Sequence, residues 1–280
     1  MTGQLRSAPT VVGDPLIGYD LGDWLARVLA VVGRSWLRIV LLHLLALAAI
    51  VVLGGLFVLL GVAFYAAGHD SGTGHTSGWA RALLAAMILL AGLVAVVFSM
   101  AVAAGGLWLA TRQAAGEPAP VGRALRFGLA RLGGVVGWSI VFGLLTLVGL
   151  VLCVLPGLYV LVTVTATLYG VVVFERGRGL PRRAFRLVNQ RFWATVGRLV
   201  LWLLLVGALS TLSGGLYDAA GAGSSHLRAG WLALAVLVQV AVWLVSLAGD
   251  IAVSLVSYAW LRGVEDPSLS TVRLAAELGP

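Results

Sequence analysis

Apolar residues run through this chain in six long blocks, separated by short polar stretches. The blocks cover about residues 39–64, 83–109, 135–155, 158–174, 199–216 and 231–261. A helix needs ~20 mostly apolar residues to cross the hydrocarbon core of a bilayer, and most of these blocks carry no charge. Their glycines do not argue against helix, because glycine lets membrane helices approach closely. The spacing Gly133-x-x-x-Gly137 fits that use. The pattern predicts an all-α, polytopic helical membrane protein with six transmembrane helices in three hairpins.

Ahead of each hairpin stands an arginine-bearing stretch with helical periodicity. In the first, Asp20, Asp23, Arg27, Arg34 and Arg38 fall on one face, and Leu21, Leu25, Val28, Leu29, Val32 and Trp36 cover the other. Asp20 is placed to cap this helix, and Asp23 and Arg27 stand at the favourable i, i+4 spacing. In the third, Pro181 suits a helix start. Arg182, Arg183, Arg186, Asn189 and Gln190 share a face opposite Phe185, Val188, Phe192 and Val196, and Arg191 breaks the pattern. The second and third stretches align at a constant offset, Arg123 on Arg183, Arg126 on Arg186 and Arg131 on Arg191, which suggests an internal repeat. The expectation is a cytoplasmic amphipathic helix before each hairpin, lying in the interface with its apolar side down. The alternative is that these stretches simply extend the spans that follow.

The six spans would belong to one membrane domain over residues 19–264, between a flexible stretch 1–18 and a tail 265–280. Spans three and four are joined by Leu155-Pro156-Gly157-Leu158, a strong turn signal. The start of the sequence lacks the apolar core of a cleaved signal peptide, so the first span is expected to act as an uncleaved insertion signal.

Charged residues make up 11% of the chain and hydrophobic residues 60%. A soluble domain carries about 25% charged residues, and one of this size could not cover so much apolar surface with polar groups. All 19 basic residues are arginine. Four precede the first span, four lie between spans two and three, seven between spans four and five, and two after span six. Only Arg81 and Arg228 fall on the other side. Basic residues of short loops stay cytoplasmic, so the chain is predicted to span the cell membrane of a bacterium with both termini on the cytoplasmic side. The net charge of +8 then faces an anionic inner leaflet, at ~1 kcal/mol per basic residue. No zinc-finger spacing or RNA-binding aromatic motif accompanies it, so nucleic acid is not an expected partner.

Candidate chemistry is sparse. Asp250 and His43 are the ionisable residues deepest in the apolar blocks. An intramembrane carboxylate reads either as a functional group facing the bundle interior or as a hydrogen-bonded helix contact. His43 is placed to pair with Asp250 or to reach the interface. Glu175 ends the fourth span beside Arg176 and Arg178, as an interfacial ion pair would. Thr163, Thr165 and Thr167 are expected to bond back to their own helix. His69, Asp70 and His75 share a glycine-rich loop without a rigid frame, so no metal site is assigned. One cysteine, Cys153, excludes an internal disulfide and is expected to act as a small apolar residue in a span. There is no nucleophile elbow, no Ser-x-x-Lys, no His-Glu-x-x-His and no Cys-x-x-Cys. The chain is therefore not expected to be an enzyme or to carry a cofactor.

Several short motifs recur together. Leu155-Pro156-Gly157-Leu158-Tyr159 precedes a span ending Val173-Phe174-Glu175. Then follow Arg183-Ala184-Phe185-Arg186-Leu187-Val188 and Phe192-Trp193, and the last span closes Tyr258-Ala259-Trp260-Leu261-Arg262-Gly263. With Pro15-Leu16 near the start, residues 14–263 resemble the glycerophosphoryl diester phosphodiesterase membrane-domain family. That family often has Pro where Gly170 stands and Ser where Ala184 stands. The resemblance implies a membrane domain of the kind that accompanies a soluble catalytic barrel in some members. The barrel is not in this sequence, and the resemblance transfers no functional residue.

Two readings follow. One is a membrane scaffold or accessory subunit that contacts anionic lipid, or a membrane or cytoplasmic protein partner, through Arg182, Arg183, Arg186, Arg123 and Arg126. The other is a transporter of a small solute or lipid that uses Asp250 within the bundle.

Overall fold

The computed structural model describes residues 13–69, 77–175, 179–222 and 225–279. These residues form eight helices: α1 Leu21–Ala67, α2 Gly78–Ala114, α3 Val121–Leu152, α4 Val154–Phe174, α5 Leu180–Asn189, α6 Phe192–Ala222, α7 Ser225–Glu265 and α8 Thr271–Glu277. There is no strand among them. Six, all but α5 and α8, contain stretches long and apolar enough to cross a membrane. In hydrocarbon a backbone must satisfy its own hydrogen bonds, and a helix does so within one segment.

The arginine-bearing stretches differ in how they join the spans. Leu21–Arg38 is continuous with the first span in a helix of 47 residues, and Arg123–Arg131 is continuous with the third span in α3. Only the third stretch is a separate helix, α5. No proline interrupts the first two, so helix propagates through them. Asp20 caps α1 as expected, accepting from the Asp23 backbone N–H at 2.6 Å. The buried face of this first stretch is Trp24, Val28, Val31 and Ser35, whereas Leu21, Leu29 and Trp36 are exposed.

The hairpin α1–α2 packs along its length, as do α3–α4 and α6–α7, while α7 also packs on α1, α2, α4 and α5. The core is concentrated at the end of the bundle that carries the arginines. There α2 is buried at Ala104, Leu107 and Trp108, α4 at Val171–Phe174 and α7 on every side from Ile251 to Leu261. Leu16, Trp24, Leu187 and Leu274 close over them. In the most apolar window of α2 no residue is buried, against 61% of that of α4. Helix α4 is therefore central, and the other spans turn leucine and valine outward along most of their length. Such a surface is untenable in water but neutral against lipid tails.

Glycine sets the closest helix approach, at positions other than the expected pair. Gly133 and Gly137 face open space. A side chain on Gly105 would strike the Ala124 carbonyl, and one on Gly128 the Ala101 carbonyl, so α2 and α3 meet backbone to backbone. The turn between α3 and α4 falls at Cys153, ahead of Pro156-Gly157, with extended backbone (φ −169°, ψ 141°). Cys153 is exposed there, so it does not pack as a core residue. Gly157 closes the hairpin against Gly149, where a Cβ would lie 2.9 Å from the Gly157 Cα.

The chain on either side of the spans is also packed. Within residues 13–18, Asp14, Leu16 and Ile17 are buried, so this part of the stretch expected to be flexible is held. The tail expected at 265–280 forms α8, which buries Thr271, Leu274 and Ala275.

Candidate functional site

After Glu175 the chain reverses, and α5 runs back along α4. At its start, the Arg183 Nε donates to Glu175 at 2.8 Å. At its far end, Asn189 accepts from the Tyr159 hydroxyl at 2.6 Å. Between them the Phe185 ring stacks on Tyr159 at 5.4 Å and lies 5.9 Å from Phe142 of α3. Leu180, Ala184, Leu187 and Val188 are buried. The apolar stripe of α5 is thus covered by protein, where an interfacial helix would turn it to lipid. Its outer side carries Arg182, Arg186, Asn189 and Gln190, all exposed. With Pro181 and Phe185 these line an open depression of about 640 Å³. Trp193, 80% exposed, projects from the first turn of α6. Tryptophan in such a place suits the headgroup level of a bilayer.

Behind this face lies an ion network. Glu175 accepts from Arg183, from Arg262 Nη1 at 3.1 Å and from the Tyr258 hydroxyl at 3.0 Å. Arg262 also pairs with Glu277 of α8 at 3.0 Å, and Arg183 with Glu265. Arg186 reaches Glu265 at 3.3 Å while remaining largely exposed. The Glu265 hydrogen bond raises the Arg183 guanidinium above its ordinary pKa, against the opposing effect of burial, and Glu175 adds to it. Glu175 is therefore more than an interfacial pair with its neighbours: it ties the end of α4 to α5, α7 and, through Arg262, α8. Arg176 and Arg178, its expected partners, lie outside the described residues.

Two further polar contacts fix this end of the bundle. Arg198, 4% exposed, stacks on Trp260 at 3.6 Å and donates to the backbone carbonyl of Tyr19 at 3.1 Å. Asp14 accepts from the backbone N–H groups of Leu16, Ile17 and Thr271 and from the Thr271 hydroxyl. Burial alone would raise the Asp14 pKa, but these four hydrogen bonds outweigh it and hold the carboxyl below its ordinary value.

The other expected site residues fall elsewhere. Arg123 and Arg126 are exposed at the start of α3, with Arg123 over the Trp108 ring at 6.0 Å. They do not join the α5 set: Leu180 lines a cleft with Gly134, about eleven residues or ~16 Å further along α3. Thus Arg123 and Arg183, paired in the apparent repeat, have different surroundings. His43 bonds through Nδ1 to its own helix at Ile39, 2.8 Å away. Asp250 is exposed on the outside of the protein and not inside the bundle; it accepts from the Trp202 indole at 2.9 Å across the α6–α7 seam. A carboxylate at mid-membrane costs ~2.5–3.5 kcal/mol on insertion scales, and one indole donor offsets only part of that. Thr163, Thr165 and Thr167 bond back one turn, as expected. Asp70 and His75 lie outside the described residues, and among the described residues no cluster of His, Cys, Asp or Glu has metal-site geometry.

Sequence reasoning missed Arg262, Tyr258, Glu265, Glu277, Arg198 and Asp14. The i, i+4 spacing of Tyr258 and Arg262 at the end of an apolar run was the available signal. No protein-family model, curated protein or solved structure matches the chain.

Proposed function

We propose that the chain is a bacterial cytoplasmic-membrane protein without its own catalytic site. In this reading both termini are cytoplasmic, and the outer side of α5 engages anionic lipid headgroups or an acidic partner held at that surface. The observation that carries the reading is the pairing of an exposed Arg182, Arg186, Asn189 and Gln190 set around an open depression with the projecting Trp193. Guanidinium groups bind phosphate in a planar fork, and the amides add donors for phosphate or hydroxyl oxygens. The ion network supports it indirectly, by making α5 a fixed platform. Membership of the glycerophosphoryl diester phosphodiesterase membrane-domain family fits the same reading. Four residues of the motifs behind that resemblance, Glu175, Arg183, Tyr258 and Arg262, meet in one network. Transport through Asp250 has less support, because that carboxylate stands on the outer surface with an indole as its partner.

The test uses protein purified in mild detergent, titrated with phosphatidylglycerol or phosphatidylcholine while lipid binding is followed by native mass spectrometry. At ~1 kcal/mol per basic residue, Arg182→Ala with Arg186→Ala weakens phosphatidylglycerol binding about thirtyfold and leaves phosphatidylcholine binding alone. Equal phosphatidylglycerol affinity in the variant and the native chain refutes the reading.

A further inference from the structure

The register of α6 on α7 gives a scale of depth. The Trp202 indole donates to Asp250 at 2.9 Å, and the Ser213 hydroxyl donates to Gln239 at 2.6 Å. Eleven residues separate these contacts on either helix, so the pair runs antiparallel in one register. Carried ten residues back from Trp202, that register sets Phe192 level with Trp260, at the arginine end. Helix α4 meets the same level near its end: Phe174 stacks on Tyr258 at 5.2 Å, and Gly170 abuts the Tyr258 ring. Were α4 parallel to α7, Tyr159 would stand about 16–22 Å away from that level, the axial rise from Gly170 or Phe174. Instead the Tyr159 ring lies 5.4 Å from Phe192. It also lies 5.4 Å from Phe185, which stands between Arg183 and Arg186, the two partners of Glu265. Phe142 of α3 reaches the same Phe185 ring at 5.9 Å. The α3–α4 hairpin thus crosses the end of α7 obliquely, and both its legs stay near the arginine end. From Tyr159 the turn at Cys153 is only ~9 Å further along α4, whereas α7 runs on from Trp260 to Trp231 for ~44 Å.

The turn itself suits hydrocarbon. From Leu147 to Leu158 the Cys153 thiol is the only side chain able to hydrogen-bond. Val151 and Leu152 are each 78% exposed and Leu155 73%. The α6–α7 hairpin, by contrast, carries exposed Tyr217 and Asp218 toward its far end. The Cys153 backbone N–H donates to the Gly149 carbonyl at 2.9 Å, the Cys153 carbonyl accepts from the Gly157 N–H at 3.5 Å, and Pro156 has no N–H to satisfy. Backbone at membrane depth needs such internal partners.

We infer that the α3–α4 hairpin does not cross the bilayer: it enters the leaflet on the arginine side and seats its turn among the acyl chains of that leaflet. A reach of ~9 Å beyond Tyr159 falls well short of the ~30 Å hydrocarbon core, and the tip offers an outside partner neither charge nor hydrogen bond. The third and fourth apolar blocks, expected to cross, then form a re-entrant pair. The spans in α1, α2, α6 and α7 still leave both ends of the chain on one side.

The single cysteine, Cys153, serves as the probe. Cells making the full chain are treated with a membrane-impermeant maleimide before and after lysis. Asp218→Cys and Asp266→Cys, each in a Cys153→Ser chain, define the two sides, so the result depends neither on which side is cytoplasmic nor on lipid binding at α5. Those two react from opposite sides. Cys153 reacts from neither, at least roughly tenfold more slowly, because an apolar surrounding suppresses the reactive thiolate. Depth is then read in liposomes from bimane-labelled chains, quenched by lipids brominated at successive acyl positions. Bimane on Cys153 lies at least as deep as bimane on Leu144→Cys or Leu161→Cys in the legs, each in a Cys153→Ser chain. Labelling of Cys153 from the residue-218 side, or a turn shallower than the legs as a crossing hairpin requires, overturns the inference. So does efficient disulfide crosslinking of two chains through Cys153 at high lipid dilution, which seats a second copy on the tip.

Discussion

Glu175→Ala removes the acceptor at the centre of the ion network. Three donors lose it: Arg183 Nε, Arg262 Nη1 and the Tyr258 hydroxyl. The Glu175, Arg183 and Arg262 side chains are 21%, 18% and 11% exposed, so water reaches the orphaned groups poorly. Breaking a fully buried pair costs about 3–5 kcal/mol. Here Arg183 keeps Glu265 and Arg262 keeps Glu277, which reduces the loss to about 2–3 kcal/mol, near the cost of one or two unsatisfied donors. Glu175→Gln retains an acceptor and loses about 1–2 kcal/mol. Arg182→Ala, on the exposed side of α5, serves as a control within about 0.5 kcal/mol. Unfolding in mixed micelles, followed by tryptophan fluorescence, gives these differences, and hydrogen exchange of α5 amides gives the local effect. Exchange should quicken across α5 in Glu175→Ala alone among the two alanine variants. A Glu175→Ala protein within 0.5 kcal/mol of the native chain, with α5 exchange unchanged, refutes the claim that this carboxylate fixes the platform.

Acidification should release α8. The folded-state pKa of Asp14 is depressed, so its contribution is complete above the ordinary carboxyl value of 3.8 and is lost as pH falls through the lower folded value. The protection of α8 amides relative to the unfolded chain should therefore fall below about pH 4 in the native chain, and in Asp14→Ala it should already be low at pH 7; protection that ignores both changes contradicts the assignment. Gly170→Ala places a methyl against the Tyr258 ring, 2.7 Å from its Cβ. It should destabilise by about 1–3 kcal/mol through overpacking, measured by the same micelle titration, and wild-type stability would count against close α4–α7 packing.

The spans were legible because apolar length alone defines them, and all six match helices of the structure. The hidden part was orientation around each helix. In a run as uniformly apolar as residues 231–261 no polar stripe marks an inner face, so the depth of Asp250 could be read and its outward direction could not. In α1, likewise, exposed Leu29 and Trp36 and buried Trp24 are equally apolar, so the pattern alone does not separate a protein-facing side from a lipid-facing one. Continuity was hidden as well: an amphipathic segment and a span form one helix when nothing between them breaks it. Glu175 could be noticed, but its partners Tyr258 and Arg262 are 83 and 87 residues away, beyond any local spacing rule.

The late position of α7 in the chain has a consequence for biogenesis. Residues 251–261 are enclosed on all sides by helices synthesised before them. Until the sixth span is made, the faces of α1, α2 and α4 that pack against residues 251–261 have no protein partner, and Glu175 lacks the tyrosine and arginine of α7. A chain stopped before residue 250 would leave the arginine-bearing end of the bundle without the helix that fills its core.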